Sequence, residues 1–524
     1  MRRRELLIGS AALLAACDKP HPELAGGWVG GASAERGHRL RAPLPKLGDG
    51  PLRRTKILII GGGVSGLACA RALSQAGMAD FALLELEDAS GGNSRAHSMG
   101  GMACPTGAHY LPLPGPQSRE VYQLLEELGL VQQQFGRAVW DERHLCHSPQ
   151  ERLFFDGAWH ESLLPPALTD AARTQQLLFE RLVESAQARW GFAMPSRRAA
   201  WGPGHAALDG QTFAAWLTVE GLHDPHLLWY LDYCCRDDYG AGIQTVSAWA
   251  GLHYFASRHG FHPANSSGER EAVLTWPQGN AYLTDAIAKP LADHIHCGRS
   301  VLKVEVGKHG LAVLAWREAA QAPERWAADQ VVLATPLFIA NKLLAGSLAA
   351  LRAAAEQLRY APWLVANLQL KGPLLQRIGA PRSWDNVIYG GQALGYVDAM
   401  HQALVPQDGP TVLSAYWAMP QAQRGALLQQ DWRPFLSQVL VDLGPVHPDL
   451  TANLQRADLA RWAHAMSIPV PGLRGSAALS ALHQPQGRLH FAHSDLAGYS
   501  VFEEAYTRGF ELGSQLAGPS RRAG

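Results

Sequence analysis

Gly61, Gly63 and Gly66 stand at the spacing G-x-G-x-x-G, and Glu85 follows nineteen residues after the last of them. The first glycine of such a run permits a tight turn. The second lets the backbone approach a pyrophosphate, and the third lets a helix lie close against a strand. Beyond them, around Ser65, a helix start offers unpaired N–H groups and a positive dipole end to phosphate oxygens. An acidic side chain at the distance of Glu85 reaches ribose hydroxyls. The chemistry indicated is dinucleotide binding. A second group of candidates is Asp238, Tyr239 and His253, set in the aromatic-rich runs 229–240 and 247–255. Aromatic walls carrying a few polar groups suit a small-molecule pocket. The same aromatic stripe also suits a core, and acids beside Arg236 also suit a salt-bridged turn.

The elements that must position these residues are legible on either side of the glycines. Ile57, Leu58, Ile59 and Ile60 read as a short strand buried on both faces. Leu67, Ala70 and Leu73 recur at helical spacing, and Gly77 supplies a helix stop. A second apolar run, 81–84, ends at Glu85. Strand, turn, helix, strand and acid in this order predict an α/β fold with a Rossmann-like unit. A chain of 524 residues exceeds one simple core and implies two domains. The formal net charge is zero and no basic block lies beyond the first residues, which argues against a nucleic-acid partner.

Residues 88–95, Asp-Ala-Ser-Gly-Gly-Asn-Ser-Arg, extend this reading. They resemble the Gly-Gly-Arg turn that lies against the flavin pyrophosphate in the FAD-dependent amine oxidase and phytoene desaturase superfamily. Gly91 and Gly92 match, Asn93 stands where Arg is usual, and Arg95 is the substitute the resemblance offers. Further blocks resemble the same family. Gly107, Ala108 and His109 fall where its chain returns across the isoalloxazine. Residues 276–283 resemble its Pro-x-Gly-Gly turn, with Asn280 for the second glycine. Val301 takes the place whose backbone meets the adenine edge, and Ala334 lies in a matching strand end, 328–336. At the C-terminal end the resemblance carries Asp495 to the ribityl or pyrophosphate region. It carries the N–H groups near Phe502, Glu504 and Ala505 to the flavin O2 side. Ser500, with Glu503 three residues on, is expected to cap that helix.

The resemblance implies a discontinuous FAD-binding domain from 55–115, 275–340 and 465–520. It implies a mixed α+β substrate domain from 116–274 and 341–464, the first part a helix-rich insertion. It implies FAD held without a covalent bond, because Gly498-Tyr499 lacks the Cys that anchors flavin in monoamine oxidases. The activity implied is oxidation of a small molecule, foremost an amine, by hydride transfer to flavin N5. A carotenoid-type desaturase or isomerase is the alternative within the family, and a non-catalytic flavin-binding accessory lipoprotein is the alternative outside it. Many of the family's oxidases carry a Lys near N5 on a substrate-domain strand. Here that strand, 362–370, has none; Lys371 follows it, and Lys303 and Lys342 lie elsewhere. A dehydrogenase with a quinone or redox-protein acceptor is therefore expected.

The first residues carry a different message. Arg2, Arg3 and Arg4 precede an apolar run, 6–16, too short to span a bilayer. The start resembles a twin-arginine export signal, and Leu14-Ala15-Ala16-Cys17 resembles a lipobox, with an ordinary cleaved signal as the alternative. The expectation is a bacterial periplasmic lipoprotein, membrane-anchored through Cys17. Residues 18–54, rich in Pro and Gly, read as a tether or extension, with 37–41 either a surface arm or packed on the domain. The six later cysteines show neither a zinc pattern nor an evident pairing, and no metal is expected.

Overall fold

The computed structural model describes residues 24–43, 50–258, 260–263, 272–404 and 409–518; the export signal and lipobox of residues 1–17 lie outside them. Strand Leu52–Ile60 forms the centre of the first sheet. Along it Ile57 and Ile59 pack on one face and Leu58 and Ile60 on the other, all nearly inaccessible to solvent. A strand apolar on both faces is stable only between two covering layers, which is the setting of a parallel sheet. Strand Phe81–Leu84 and strand Ala322–Leu333, from Arg325 onward, flank it in parallel, with Ile295–His296 and Leu489–Phe491 beyond them. On its other edge the first half of Ala322–Leu333 also enters an antiparallel meander with Leu311–Arg317 and Arg299–Val306. Helices Val64–Gln75, Ala281–Ala288 and Phe502–Ala517 cover one face. Helices Leu337–Leu343 and Ala349–Gln357 cover the other.

A second sheet of eight strands stands against this unit. Its centre is the antiparallel pair Tyr360–Leu370 and Leu454–Ser467, followed by Thr411–Ala418. Strand 362–370, expected on the substrate side, is contained in Tyr360–Leu370, and Tyr396–Asp398 and Asp385–Ile388 continue the sheet beyond Thr411–Ala418. Alternation divides its faces. Trp363, Val365 and Tyr416 join a core with helices Asp170–Arg189, Pro225–Tyr239 and Ala248–Ala256, while Leu364, Ala366 and Leu368 join helix Trp432–Leu443 behind the sheet.

Three expectations change. Residues 25–41 are no tether: Ala25–Gly31 is an edge strand parallel to Leu454–Ser467, and helix Ala34–His38 follows with Ser33 capping it. The periodicity was masked because glycine-rich edge pairing leaves little side-chain pattern to read. The stretch after 116 does not begin the helix-rich unit. Helix Arg119–Glu127 and Val131 pack in the core of the nucleotide-binding sheet, and Glu151–Phe155 and Ala158–Glu161 are strands of the second sheet. Ser500 does not cap the last helix. Its Oγ accepts the Ser467 N–H at 3.1 Å, and Val501 is the cap residue, with no side-chain hydrogen bond.

Helix Phe502–Ala517 crosses helix Val64–Gln75 at glycine. A Cβ at Gly509 would lie 1.9 Å from the Ser65 carbonyl oxygen, and one at Gly513 2.4 Å from that of Cys69. Backbone stands there on backbone, so no side chain can yield. Gly509→Ala should therefore destabilise the fold by about 1–3 kcal/mol, the usual cost of overpacking. Gly425→Ala, on an exposed helix with open space around it, should be neutral or slightly stabilising. Chemical denaturation of the two variants compares them; equal midpoints would remove the close helix contact as a constraint.

Candidate active site

The glycine turn is a cradle with no spare volume. Gly61 has φ +106°, in the region that favours glycine. A Cβ at Gly66 would lie 1.9 Å from the Gly61 carbonyl oxygen, so the helix meets the turn directly. Gly63 precedes helix Val64–Gln75 without a side-chain cap, and Ser65 Oγ is buried with no hydrogen-bond partner among the described residues. Glu85, also buried, accepts the Gly62 N–H at 2.6 Å and the Glu87 N–H at 2.8 Å. Burial pushes the Glu85 carboxyl up, and those two N–H groups oppose the shift without cancelling it. The Gly61 N–H donates to Leu84 and the Ala334 N–H to Ile60, which gathers both strand ends at the turn. Arg299 N–H donates to the Glu85 carbonyl at 2.7 Å, which brings Val301 to the same strand end.

The Gly91-Gly92 turn lies on this cradle: the Gly91 N–H donates to the Gly62 carbonyl at 2.7 Å. Asn93 and Arg95 do not exchange roles. Asn93 Nδ2 donates to the Ala465 carbonyl at 2.7 Å, and the Asn93 carbonyl accepts the Ala108 N–H at 2.9 Å. Asn93 thus ties the turn both to the second sheet and to the loop 107–109. Arg95 donates to the Gly92 and Gly31 carbonyls and stands over the Trp462 ring at 5.2 Å, a brace beside the turn. Asn280 has its own reason to replace glycine: its Nδ2 donates to the Tyr110 carbonyl at 2.8 Å and its N–H to that of Ala108.

The C-terminal block divides in two. The Asp495 carboxylate is engaged inside the protein, accepting the Tyr360 hydroxyl at 2.6 Å and the Leu337 N–H at 2.9 Å. Burial alone would raise it, but His493, Tyr360 and Leu337 outweigh burial and hold it below the usual carboxylate range. Both donors meet Oδ2, and Oδ1 lies 3.3 Å from His493 Nδ1. The start of helix Phe502–Ala517, by contrast, has no side-chain cap, so its first N–H groups are available. Glu504 turns away from that end, its Oε1 accepting the Ser196 N–H and the Tyr499 hydroxyl. Ala505 N–H is already used by the Val501 carbonyl.

Asp238, Tyr239 and His253 are core residues. Asp238 pairs with Arg258 at 3.3 Å, Tyr239 donates its hydroxyl to Ala250 at 2.9 Å, and His253 Nε2 meets the Ala193 carbonyl at 2.9 Å. Burial drives His253 down to about 3, so it is neutral at physiological pH. The cavity lies one residue away. Tyr230, Tyr233, Cys234 and Asp237 line it from helix Pro225–Tyr239, spaced as one helical stripe, and Tyr254 lines it from the next helix. That spacing was the available signal; a run apolar on every side concealed its phase. His109 reaches the cavity and stacks on Tyr416 at 4.1 Å, with Trp384 at 5.5 Å. Glu151 and Asp385 complete an acidic wall that no sequence motif marks. Burial lowers His109 to about 3.

A cradle with free donors at two helix starts, continuing through loop 107–110 into an aromatic cavity, defines a flavin-dependent oxidoreductase. Residues 64–511 match the flavin containing amine oxidoreductase family, and the chain belongs to it. No curated protein sequence matches the chain. Among solved structures it is similar to putrescine oxidase bound to putrescine, at 17% identity and TM-score 0.68, over 90% of this chain and 100% of that one. It is similar to cyclohexylamine oxidase from Brevibacterium oxydans IH-35A, at 18% identity and TM-score 0.65, over 88% and 98%. It is also similar to a CLA-producing fatty acid isomerase from P. acnes, at 15% identity and TM-score 0.63, over 88% and 98%. At these identities the likeness is one of fold. The residues present fit FAD: the glycine turn and the unpartnered Ser65 hydroxyl suit its pyrophosphate, Glu85 suits ribose, and the start of helix Phe502–Ala517 suits the flavin's electron-rich edge.

Glu85→Gln keeps the side-chain size and removes the charge. FAD affinity should fall roughly ten- to a hundredfold, about 1.5–3 kcal/mol for a hydrogen bond to a charged group. Flavin-fluorescence titration of the deflavinated protein measures it, and an unchanged Kd would remove Glu85 from the ribose site.

Proposed function

We propose that the protein oxidises an amine with non-covalently held FAD and delivers the electrons to a quinone or redox protein in preference to oxygen. The observation that carries the amine reading is the character of the cavity reached through loop 107–110: among the described residues, aromatic walls that carry the acids Glu151, Asp237 and Asp385. Such a surface attracts cationic molecules and repels fatty acids and other anions. The amines named for two structural relatives agree with that character. When bound, the flavin supplies a two-electron acceptor, taking a hydride equivalent at N5. The chain's own residues bind and orient. His109, kept neutral by burial, places an uncharged ring against Tyr416 and adds no repulsion to an incoming cation. Phe255, Phe261 and Leu164 add apolar surface to the cavity lining.

The preference among acceptors follows from charge. Oxygen is reduced through an anion, and a fixed cation beside the flavin assists it. On strand Tyr360–Leu370 the side that carries Trp363 and Val365 into the helical core also carries Asn367. Asn367 Nδ2 donates to the Pro105 carbonyl at 3.0 Å, and its Oδ1 accepts the Ser414 hydroxyl. Lys371 donates to the Ala452 carbonyl at the strand end, Lys303 pairs with Glu305, and Lys342 is exposed. None of the three replaces the missing cation. Gly498-Tyr499 offers no thiol for a covalent flavin link. Export through a twin-arginine signal to the periplasm, and a lipid anchor on Cys17, belong to the same proposal; the support is the sequence of residues 2–17.

Mixing the holoenzyme anaerobically with a panel of amines should bleach the flavin with at least one of them, and denaturation should release all the yellow colour. Reduced enzyme should then reoxidise faster with a soluble quinone analogue than in air-saturated buffer. Faster reoxidation by oxygen, with stoichiometric hydrogen peroxide, would make the protein an oxidase. Cys17→Ser should abolish membrane retention of the mature protein on cell fractionation; unchanged retention would remove the anchor.

A further inference from the structure

We propose that residues 25–41 belong to the FAD site: they form a clasp that fixes the residues taking the adenosine half of the cofactor and slows its release. The inference rests on the assignment of Glu85 and Val301 to that half. The segment lies outside residues 64–511, which match the family, so the likeness gives it no role. It joins the two sheets. Ala25–Gly31 runs parallel to strand Leu454–Ser467 of the second sheet, seated so closely that a Cβ at Gly31 would lie 2.1 Å from the Arg461 carbonyl oxygen. Arg95, beside the Gly91-Gly92 turn, donates to the Gly31 carbonyl. The chain then turns through helix Ala34–His38 onto the nucleotide-binding unit, where Arg39–Arg41 meets strand Arg299–Val306.

Its contacts there fall on the two stretches that carry the adenosine residues. On one side is loop 86–88, directly after Glu85. Glu87 links the acid to the clasp: its N–H donates to the Glu85 carboxylate at 2.8 Å, and its own carboxylate accepts the Ser33 N–H at 2.8 Å. Arg36 holds the rest of the loop. It donates to the Leu86 carbonyl at 3.0 Å and to both oxygens of the Asp88 carboxylate at 2.9 and 3.0 Å. On the other side is the strand of Val301. Arg39 pairs with Glu318 at 2.9 Å and stands over the Trp316 ring at 5.3 Å. The other Glu318 oxygen accepts the hydroxyl of Ser300, one residue before Val301, at 2.7 Å. The two sides are joined as well. Gly298 N–H donates to the Glu87 carbonyl at 2.7 Å, and Glu318 N–H to that of Gly298 at 3.0 Å. Ser33, Glu87, Gly298, Glu318 and Arg39 thus close a ring of bonds beside the ribose acid and Val301. Leu40 adds its side chain to the core that contains Val301.

These ties are of the kind that open locally, without unfolding a domain. The Asp88 side chain is 83% exposed, so its pair with Arg36 is screened and contributes little by itself. The Arg39–Glu318 pair is better sheltered, and the stacked indole adds to it. With the clasp closed, loop 86–88 is fixed and the Glu87 N–H holds the Glu85 carboxylate in one orientation. With it open, the loop loses Ser33 and Arg36 together. Ser33, Arg36 and Arg39 are therefore positioning residues, acting on the cofactor through Glu87, Glu85 and the strand of Val301. The coupling is reciprocal: a clasp that favours bound adenosine is itself held closed by it.

Hydrogen–deuterium exchange of the wild type tests this without a substitution. Peptides covering 33–41 and 86–88 should exchange more slowly in the holoprotein than in the deflavinated protein. ADP, which carries the adenosine half alone, should restore slow exchange to the deflavinated protein, and FMN, which lacks that half, should not. Release is measured by loading the protein with radiolabelled FAD, chasing with excess unlabelled FAD and counting the label that stays on the protein. The double variant Arg36→Ala, Arg39→Ala should release FAD roughly three- to thirtyfold faster than the wild type, the effect of losing two ion pairs and a stacked cation. Glu87→Ala should act in the same direction. The urea midpoint of the deflavinated double variant should stay near that of the wild type. Unchanged release, or exchange in 33–41 that responds to neither FAD nor ADP, would overturn the clasp while leaving FAD binding standing. So would protection by FMN equal to that by ADP, or faster release matched by an equal loss of global stability. A wild type that retains no labelled FAD would overturn the assignment of the site itself. The exchange comparison decides the matter if a variant does not fold.

Discussion

Close backbone contact around one turn is the constraint on which this molecule depends. Strand Leu52–Ile60, helix Val64–Gln75 and helix Phe502–Ala517 meet where side chains are absent, at Gly61, Gly66, Gly509 and Gly513. The first two place the start of helix Val64–Gln75 directly on the strand end. The last two bring residues from the far end of the sequence against the same helix. Both helix starts are without side-chain caps, so their first N–H groups have no side-chain partner among the described residues. Unpaired donors at two converging helix ends are costly in isolation and favourable around an anionic or electron-rich ligand. Stability and cofactor binding are thus joined in one place.

The polar groups around the turn are arranged to hold it without filling it. Glu85 accepts the Gly62 and Glu87 N–H groups, and Glu87 in turn accepts the Ser33 N–H at 2.8 Å. Arg36 pairs with Asp88 at 2.9 Å, and Arg95 reaches the Gly31 carbonyl. The N-terminal segment, paired with the second sheet through Ala25–Gly31, therefore also clasps the loop 86–88 after Glu85 in the first unit. Asn93 and Asn280 do the same for loop 107–110, fixing His109 at the mouth of the cavity. Where the chain departs from its family's pattern, the replacing amide side chain makes a specific bond to a carbonyl across the structure.

The cavity shows the opposite design. The cradle distributes its charge over hydrogen bonds, whereas the cavity sets Glu151, Asp237 and Asp385 beside aromatic rings, with Asp237 accepting the Tyr110 hydroxyl at 3.1 Å and the Tyr416 hydroxyl without a hydrogen-bond partner among the described residues.

The nucleotide-binding half was legible in the sequence because its determinants are local. Strand, turn and helix follow one another within 57–73, and a glycine forced by a close contact is a glycine wherever it is read. Gly61, Gly63, Gly66, Glu85, Gly91, Gly92, Val301 and Ala334 accordingly gather at one strand end. The substrate side was not legible. A helix with aromatic residues all round has no visible phase, so Asp238 and His253 were as eligible as Asp237 and Tyr254 until packing oriented them. The role of Asp495 was equally hidden, because Tyr360, which engages its carboxylate, lies on a strand of the other sheet. Asp385, Glu151 and Tyr416 carry no motif; parallel and antiparallel pairing brings their three distant segments to the lining of one cavity. Sequence determines contacts between neighbours along the chain, and tertiary structure alone decides which distant charges must share the same low-dielectric space.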